Sequence, residues 1–354
     1  MTTHANPPAT VHLGEPGALL ASLPALLGFH PERSLILLCL EGELAGTVGL
    51  VARVDLPDRG DRAGGDAVVE QLSVLCARRG VPAAVAVVVD DADGPDSHRR
   101  LVRALQVACE EVGTDLISSH HVPRTAPGVA WSSYGSTRTG VLPDPRSSPV
   151  ATEHVLRGRV IHGSRAEVDA LLTPDGSART AEVGLALAAE LAWEADARSA
   201  DPAGTAVHLL ERVLAAVVRA DDRPDEMLEA VEVAALGAAL SDLTVRDVCF
   251  ALAAGEHAAA AERLWTVLAR ALPAPGLAEP AVLLAQSAYA RGEGPIAGVA
   301  LRVALHADPG HRMAALLDAS LAAGLPPETV RTLSVTARAM AAELGVHLPP
   351  VDWA

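Results

Sequence analysis

Ala83-Ala84-Val85-Ala86-Val87-Val88-Val89-Asp90-Asp91-Ala92-Asp93-Gly94 is the stretch that decides the fold of this chain. An apolar run without alternation, short for a helix and ended by an acidic Asp-Gly turn, reads as a strand covered on both faces. Its flanks agree: residues 67–79 set Val68, Leu72, Leu75 and Cys76 at helical spacing, and residues 97–112 are helical again. A buried strand between two helices is the repeating unit of an α/β layer.

Outward from this unit, residues 16–27 read as a helix that Gly28 caps, and Gly28-Phe29-His30-Pro31 as a turn. Residues 34–40 and 46–56 read as strands joined at Glu41-Gly42-Glu43, an antiparallel hairpin. Downstream, 116–122 and 129–134 are two more strand candidates. The expectation is an α/β N-terminal domain over residues 1–165, a mixed sheet of about five strands with covering helices.

Residues 135–150 turn rich in Ser, Thr, Arg and Pro, as a loop or linker does, and helices are expected at 149–156 and 165–172. From Arg179 onward every window has helical period, broken at Asp201-Pro202, Arg223-Pro224, 273–276, 292–295 and Leu325-Pro326. Residues 166–354 are therefore expected to form an all-helical domain. Laying Ala254-Gly255-Glu256 on Arg291-Gly292-Glu293 brings Leu264 onto Leu301 and Leu268 onto Leu305. Leu284, Tyr289, Gly292, Ala297, Ala304, Leu305, Asp308 and Pro309 are similar to a tetratricopeptide (TPR) hairpin, and TPR-like hairpins are expected over about residues 243–324.

Composition excludes several function classes. The 28 basic residues are all arginine, against 44 acidic ones, for a net charge of −16. General nucleic-acid binding is not expected from that balance. Without lysine there is no conventional P-loop, no Schiff-base lysine and no pyridoxal-phosphate enzyme. No Gly-x-Ser-x-Gly elbow backs Ser132, Ser133 or Ser136 as a hydrolase nucleophile. The N-terminus lacks the basic start of an export signal and no apolar run reaches bilayer length, so a cytoplasmic protein without membrane contact is expected. Cys39, Cys76, Cys109 and Cys249 sit among apolar neighbours without a Cys-x-x-Cys pair and read as buried free thiols.

The words Leu23-Pro24-Ala25-Leu26-Leu27-Gly28-Phe29-His30-Pro31-Glu32-Arg33-Ser34-Leu35 and Arg53-Val54-Asp55-Leu56-Pro57 resemble the actinobacterial family called domain of unknown function 4192 (DUF4192). The segment 131–134 and the hairpin 292–309 go with them, and the resemblance runs over most of the chain. The family more usually carries an Arg-Trp-Trp-Ser-Tyr type of segment where this chain has Val129-Ala130-Trp131-Ser132-Ser133-Tyr134. The resemblance implies no activity.

Two constellations carry chemistry. Asp90, Asp91 and Asp93 follow the buried strand directly, a common place for a metal ion and phosphate chemistry. With His98, and with Glu41-Gly42-Glu43 after an earlier strand, they are similar to the acidic motifs of the toprim fold, although that fold needs a helix where residues 46–56 read as a strand. Arg53, Asp55, Trp131 and Tyr134 form a candidate binding patch if their strands are neighbours. His120 and His121 are adjacent in a strand, so they point to opposite faces, one half-buried and one exposed. Arg99, Arg100 and Arg103 read as a solvated helix face. The expected function is non-catalytic, a protein-interaction or regulatory role in which another protein docks on the C-terminal helices. No cofactor is expected, and a second copy of the chain is a further candidate partner. The alternative is a metal-dependent phosphoryl-transfer enzyme using Asp90, Asp91 and Asp93, and a third option is a small-molecule sensor.

Overall fold

The computed structural model describes residues 2–10, 15–41, 47–156 and 159–348. The chain divides into two compact units. One comprises Met1–Val168, Gly292–Pro295 and Ser320–Pro326, the other Asp169–Arg291, Ile296–Ala319 and Pro327–Ala354.

The first unit is built on the apolar run. β4 (Ala83–Val89) is buried at every residue. It pairs antiparallel with β2 (Ser34–Glu41) on one side and parallel with β5 (Asp115–Val122) on the other. β2 and β3 (Thr47–Asp55) form the expected antiparallel hairpin. β6 (Ala130–Ser133) and β7 (Thr139–Val141) extend the sheet beyond β5, each antiparallel to its neighbour. These six strands make the mixed sheet one strand wider than expected, and β1 (Thr2–Thr10) adds an edge beside β3, giving the order β1-β3-β2-β4-β5-β6-β7. β7 carries no strand signal in the sequence because it has three residues, Thr139-Gly140-Val141, inside a stretch with loop composition.

Gly42 and Glu43 lie outside the described residues, but Glu41 pairs with Thr47. The chain thus returns directly as β3, and the helix that the toprim similarity requires is replaced by a strand.

Helices α2 (Arg62–Arg79) and α3 (Pro95–Glu111) share one face of the sheet. Their core joins Leu37 and Val54 to Leu72, Val88 and Leu105, and it gathers Cys39, Cys76 and Cys109. All four cysteines are buried and free. Ile36, Leu38, Val51, Val85 and Val87, on the opposite face, are equally dry. Burial on both faces is why these strands read as continuous apolar runs. Helix α1 (Pro16–Leu27) is buried nearly throughout and stops at Gly28, whose φ of 74° terminates the helix as expected. Helices α4 (Pro149–Leu156) and α5 (Arg165–Ala170) follow the sheet.

From Ser177 the described chain is helical. α6 (Ser177–Ala200), α7 (Pro202–Asp222), α8 (Ala230–Ser241), α9 (Leu243–Cys249), α10 (Ala258–Ala271), α11 (Ala278–Ala290), α12 (Gly294–Ala307), α13 (Arg312–Ala322) and α14 (Pro327–Glu343) begin and end near the Pro and Gly breaks. Trp265 and Tyr289 are fully buried in an interior made mostly of Ala, Val and Leu. Among the described residues no helix is long and apolar enough to cross a membrane.

Candidate metal centre

β3 and β4 are both antiparallel to β2, so β3, β4 and β5 run in one direction and finish at one edge of the sheet. Ligands of open α/β sheets bind outside such carboxyl ends. Here the segment 56–62 after β3, the segment 90–93 after β4 and the first turns of α2 and α3 enclose a cleft of about 480 Å³.

Asp90 is the first residue past β4. Its backbone N–H donates to the Val122 carbonyl at 3.2 Å, continuing the β4–β5 ladder, and its side chain is 4% exposed. Oδ1 accepts from the Ala92 N–H at 3.2 Å, an Asx turn that folds the acidic loop back over the strand end. Oδ2 accepts from His98 Nε2 at 2.8 Å. His98 stands in the opening turns of α3, which starts at Pro95 after Gly94 in extended conformation. Asp93 lies between them, half-buried, with Oδ1 3.3 Å from Arg59. Strand end, loop and helix start thus bring one donor atom each from Asp90, Asp93 and His98 within 4.8 Å of one another. Two carboxylate oxygens and an imidazole nitrogen suit a divalent cation such as Mg²⁺, Mn²⁺ or Zn²⁺.

His121 adjoins this cluster. Its partner in the parallel ladder is Val88, which turns it toward the α2/α3 face. There its ring stacks on that of His98, centroids 6.3 Å apart and 20° from parallel. It is 4% exposed, and among the described residues its Nε2 has no hydrogen-bond partner. Burial pushes its pKa below the ordinary histidine value. Tyr134 packs against the same core with its hydroxyl likewise buried and unpartnered, and burial raises its pKa.

His120 points the other way. Its ring nitrogens meet Ser133 Oγ at 2.9 Å and Ser118 Oγ at 3.1 Å, and Trp131 stands edge-on at 5.6 Å. The two histidines do face opposite sides, but both are buried, because β5 is an interior strand rather than an edge. Burial drives the His120 pKa down to about 4.

Of the three aspartates singled out in the sequence, the fold uses Asp90 and Asp93. Asp91 is exposed and outside the cluster, and His98 completes it. The second candidate set is not brought together. β2, β4 and β5 lie between β3, which carries Arg53 and Asp55, and β6, which carries Trp131. Four strand spacings amount to about 19 Å. Arg53 is itself buried, donating to Ser34 Oγ at 2.8 Å and paired with the exposed Asp55, with its guanidinium 6.0 Å from the Phe29 ring centre. Trp131 is 8% exposed, its indole close against Gly17 and Gly140, where a Cβ would meet it at 3.3 and 3.0 Å. Tyr134 turns to the α2/α3 face instead. Strand order and alternation separate what spacing alone allowed.

Residues 16–328 match the model of a family described as "Domain of unknown function (DUF4192)". No curated protein and no solved structure matches the chain.

Proposed function

The chain belongs to the DUF4192 family, a description that assigns no activity, and we propose from its own geometry that the cleft is a divalent-cation site serving phosphoryl-transfer chemistry. The observation that carries this reading is the convergence of Asp90, Asp93 and His98 at the carboxyl edge of parallel strands, beside the buried His121 ring, whose Nε2 has no hydrogen-bond partner among the described residues. A cation held there polarises a phosphoryl oxygen and activates a bound water, the two things such chemistry needs. Calorimetric titration with Mn²⁺ or Mg²⁺ tests it. Binding is expected for the wild type and a loss of about tenfold or more for Asp93→Ala or His98→Ala, since each removes one of three protein ligands. No heat at millimolar metal sinks the reading.

A second reading, docking of another protein on the C-terminal helices, is favoured by Trp193. In a chain this poor in aromatics it stands 47% exposed on α6, with the Arg212 guanidinium 5.6 Å from its ring centre and His208 at 6.3 Å. Trp and Arg are among the side-chain types enriched at interface hot spots. A partner captured by the full chain and lost with Trp193→Ala supports this. Equal capture by both defeats it.

A further inference from the structure

We infer that the ligand of the cleft is an organic diphosphate of the nucleoside diphosphate class, taken up as its complex with a divalent cation and read by Arg62 and Arg100. The inference rests on the cation-site reading and adds the ligand to it.

Charge supplies the first step. Four arginines and five aspartates line the cleft, so without a cation it is net negative and repels a phosphate group. A bound dication reverses that sign. An anion is therefore accepted only together with the metal.

The arginines supply the second. Arg59 faces Asp93 at 3.3 Å and Arg33 faces Asp58 at 3.4 Å, so both are already engaged. Arg62 and Arg100 line the same cleft and have no ion pair or hydrogen bond from their side chains among the described residues. Arg62 opens α2, whose N-terminus the Asp61 carboxylate already caps, and Arg100 stands in the second turn of α3. Two unengaged guanidinium forks suit two phosphate groups better than one, because each can grip its own pair of oxygens.

The floor supplies the third. Leu56, Pro57, Leu101 and Ala104 are apolar, and about 480 Å³ is far more than inorganic phosphate fills. An organic moiety on that floor uses the remaining space. Without a Phe, Tyr or Trp among the lining residues, that floor holds it by apolar contact rather than by stacking.

The test is calorimetry on the full chain with Mn²⁺ alone, then with ADP, pyrophosphate or orthophosphate, each with Mn²⁺ and again with EDTA. Expected is Mn²⁺-dependent ADP binding at least about tenfold tighter than orthophosphate, lost about tenfold in Arg62→Ala/Arg100→Ala while the affinity for Mn²⁺ alone is not weakened. Both arginines are exposed and, among the described residues, unpaired, so the variant should keep the wild-type melting curve, which is checked alongside. If Mn²⁺ binds but ADP binds no better than orthophosphate, or the double variant binds ADP unchanged, the inference fails and the cation site stands. ADP binding that survives EDTA overturns uptake as a metal complex. Pyrophosphate as tight as ADP overturns the role given to the apolar floor. Absence of Mn²⁺ binding overturns the cation site and this inference together.

Discussion

Burial acts on His120 and Glu194 with opposite signs. The His120 imidazole, 2% exposed, has its pKa lowered to about 4 from 6.5, so between those values the unfolded chain takes up a proton that the native state refuses. Stability attributable to it is complete above the ordinary value and falls as the pH drops toward 4. Glu194 on α6 is 1% exposed, and among the described residues neither carboxylate oxygen has a hydrogen-bond partner. Burial raises its pKa to about 7 from 4.5, against the pull of Arg198. Here the native state holds the proton more tightly, and stability falls as the pH rises from the ordinary value to 7. Each effect is on the order of 3 kcal/mol at its limit. Urea unfolding between pH 4 and 8 is expected to show a flatter acid limb in His120→Gln and a flatter neutral limb in Glu194→Gln. Slopes equal to wild type in both variants would refute burial as the cause. The same scale explains what was legible in the candidate site. Asp90 and Asp93 stand out as acids directly after an apolar run. His98 needed the start of α3 to be fixed within a turn, and His121 needed the β4–β5 register, which no local pattern encodes.

Elements were readable where one physical signal dominated. β4, the β2–β3 hairpin and the long helices follow from apolar period and from Pro or Gly breaks. Asp201 shows the economy of such a break: it closes α6 and its carboxylate accepts from the Gly204 N–H at 3.0 Å as the N-cap of α7. Asp201→Ala is expected to cost about 1 kcal/mol in denaturant unfolding, with Asp201→Asn retaining most of it, because the cap bond needs only a short side-chain oxygen. An alanine variant as stable as wild type would show the cap to be redundant. β1 was not readable for the opposite reason. Pro7 and Pro8 argue against a strand, yet its register with β3 skips from Ala5 to Ala9, so the prolines fall at an irregularity on an edge, where missing N–H donors are tolerated.

At the scale of the molecule, the sheet unit is not one stretch of sequence. Gly292–Pro295 and Ser320–Pro326 belong to it although they lie between helices of the C-terminal half. Gly324, at φ 67°, sits where a Cβ would be 3.2 Å from Leu50 Cδ1, and Leu50 is 1% exposed. Glu293 lies 3.8 Å from Arg159, both side chains largely buried. A fragment of residues 1–168 therefore lacks the cover of Leu50 and the Glu293 carboxylate that faces Arg159, and removing one member of a buried ion pair costs several kcal/mol. Calorimetry of that fragment is expected to show a lower and broader melting transition than the full chain. A transition matching the sheet unit in the intact protein would show the two segments to be dispensable. Nothing local in 320–326 announces this membership, since a segment's unit is set by what it touches and not by its own pattern.

The same discontinuity sets an order of events at the ribosome. All of β1 to β7 has been translated by Val141, but the last piece of their unit ends at Pro326. At about 5–20 residues per second the nascent sheet waits on the order of ten seconds with Leu50 uncovered, an interval in which chaperone capture competes with native closure.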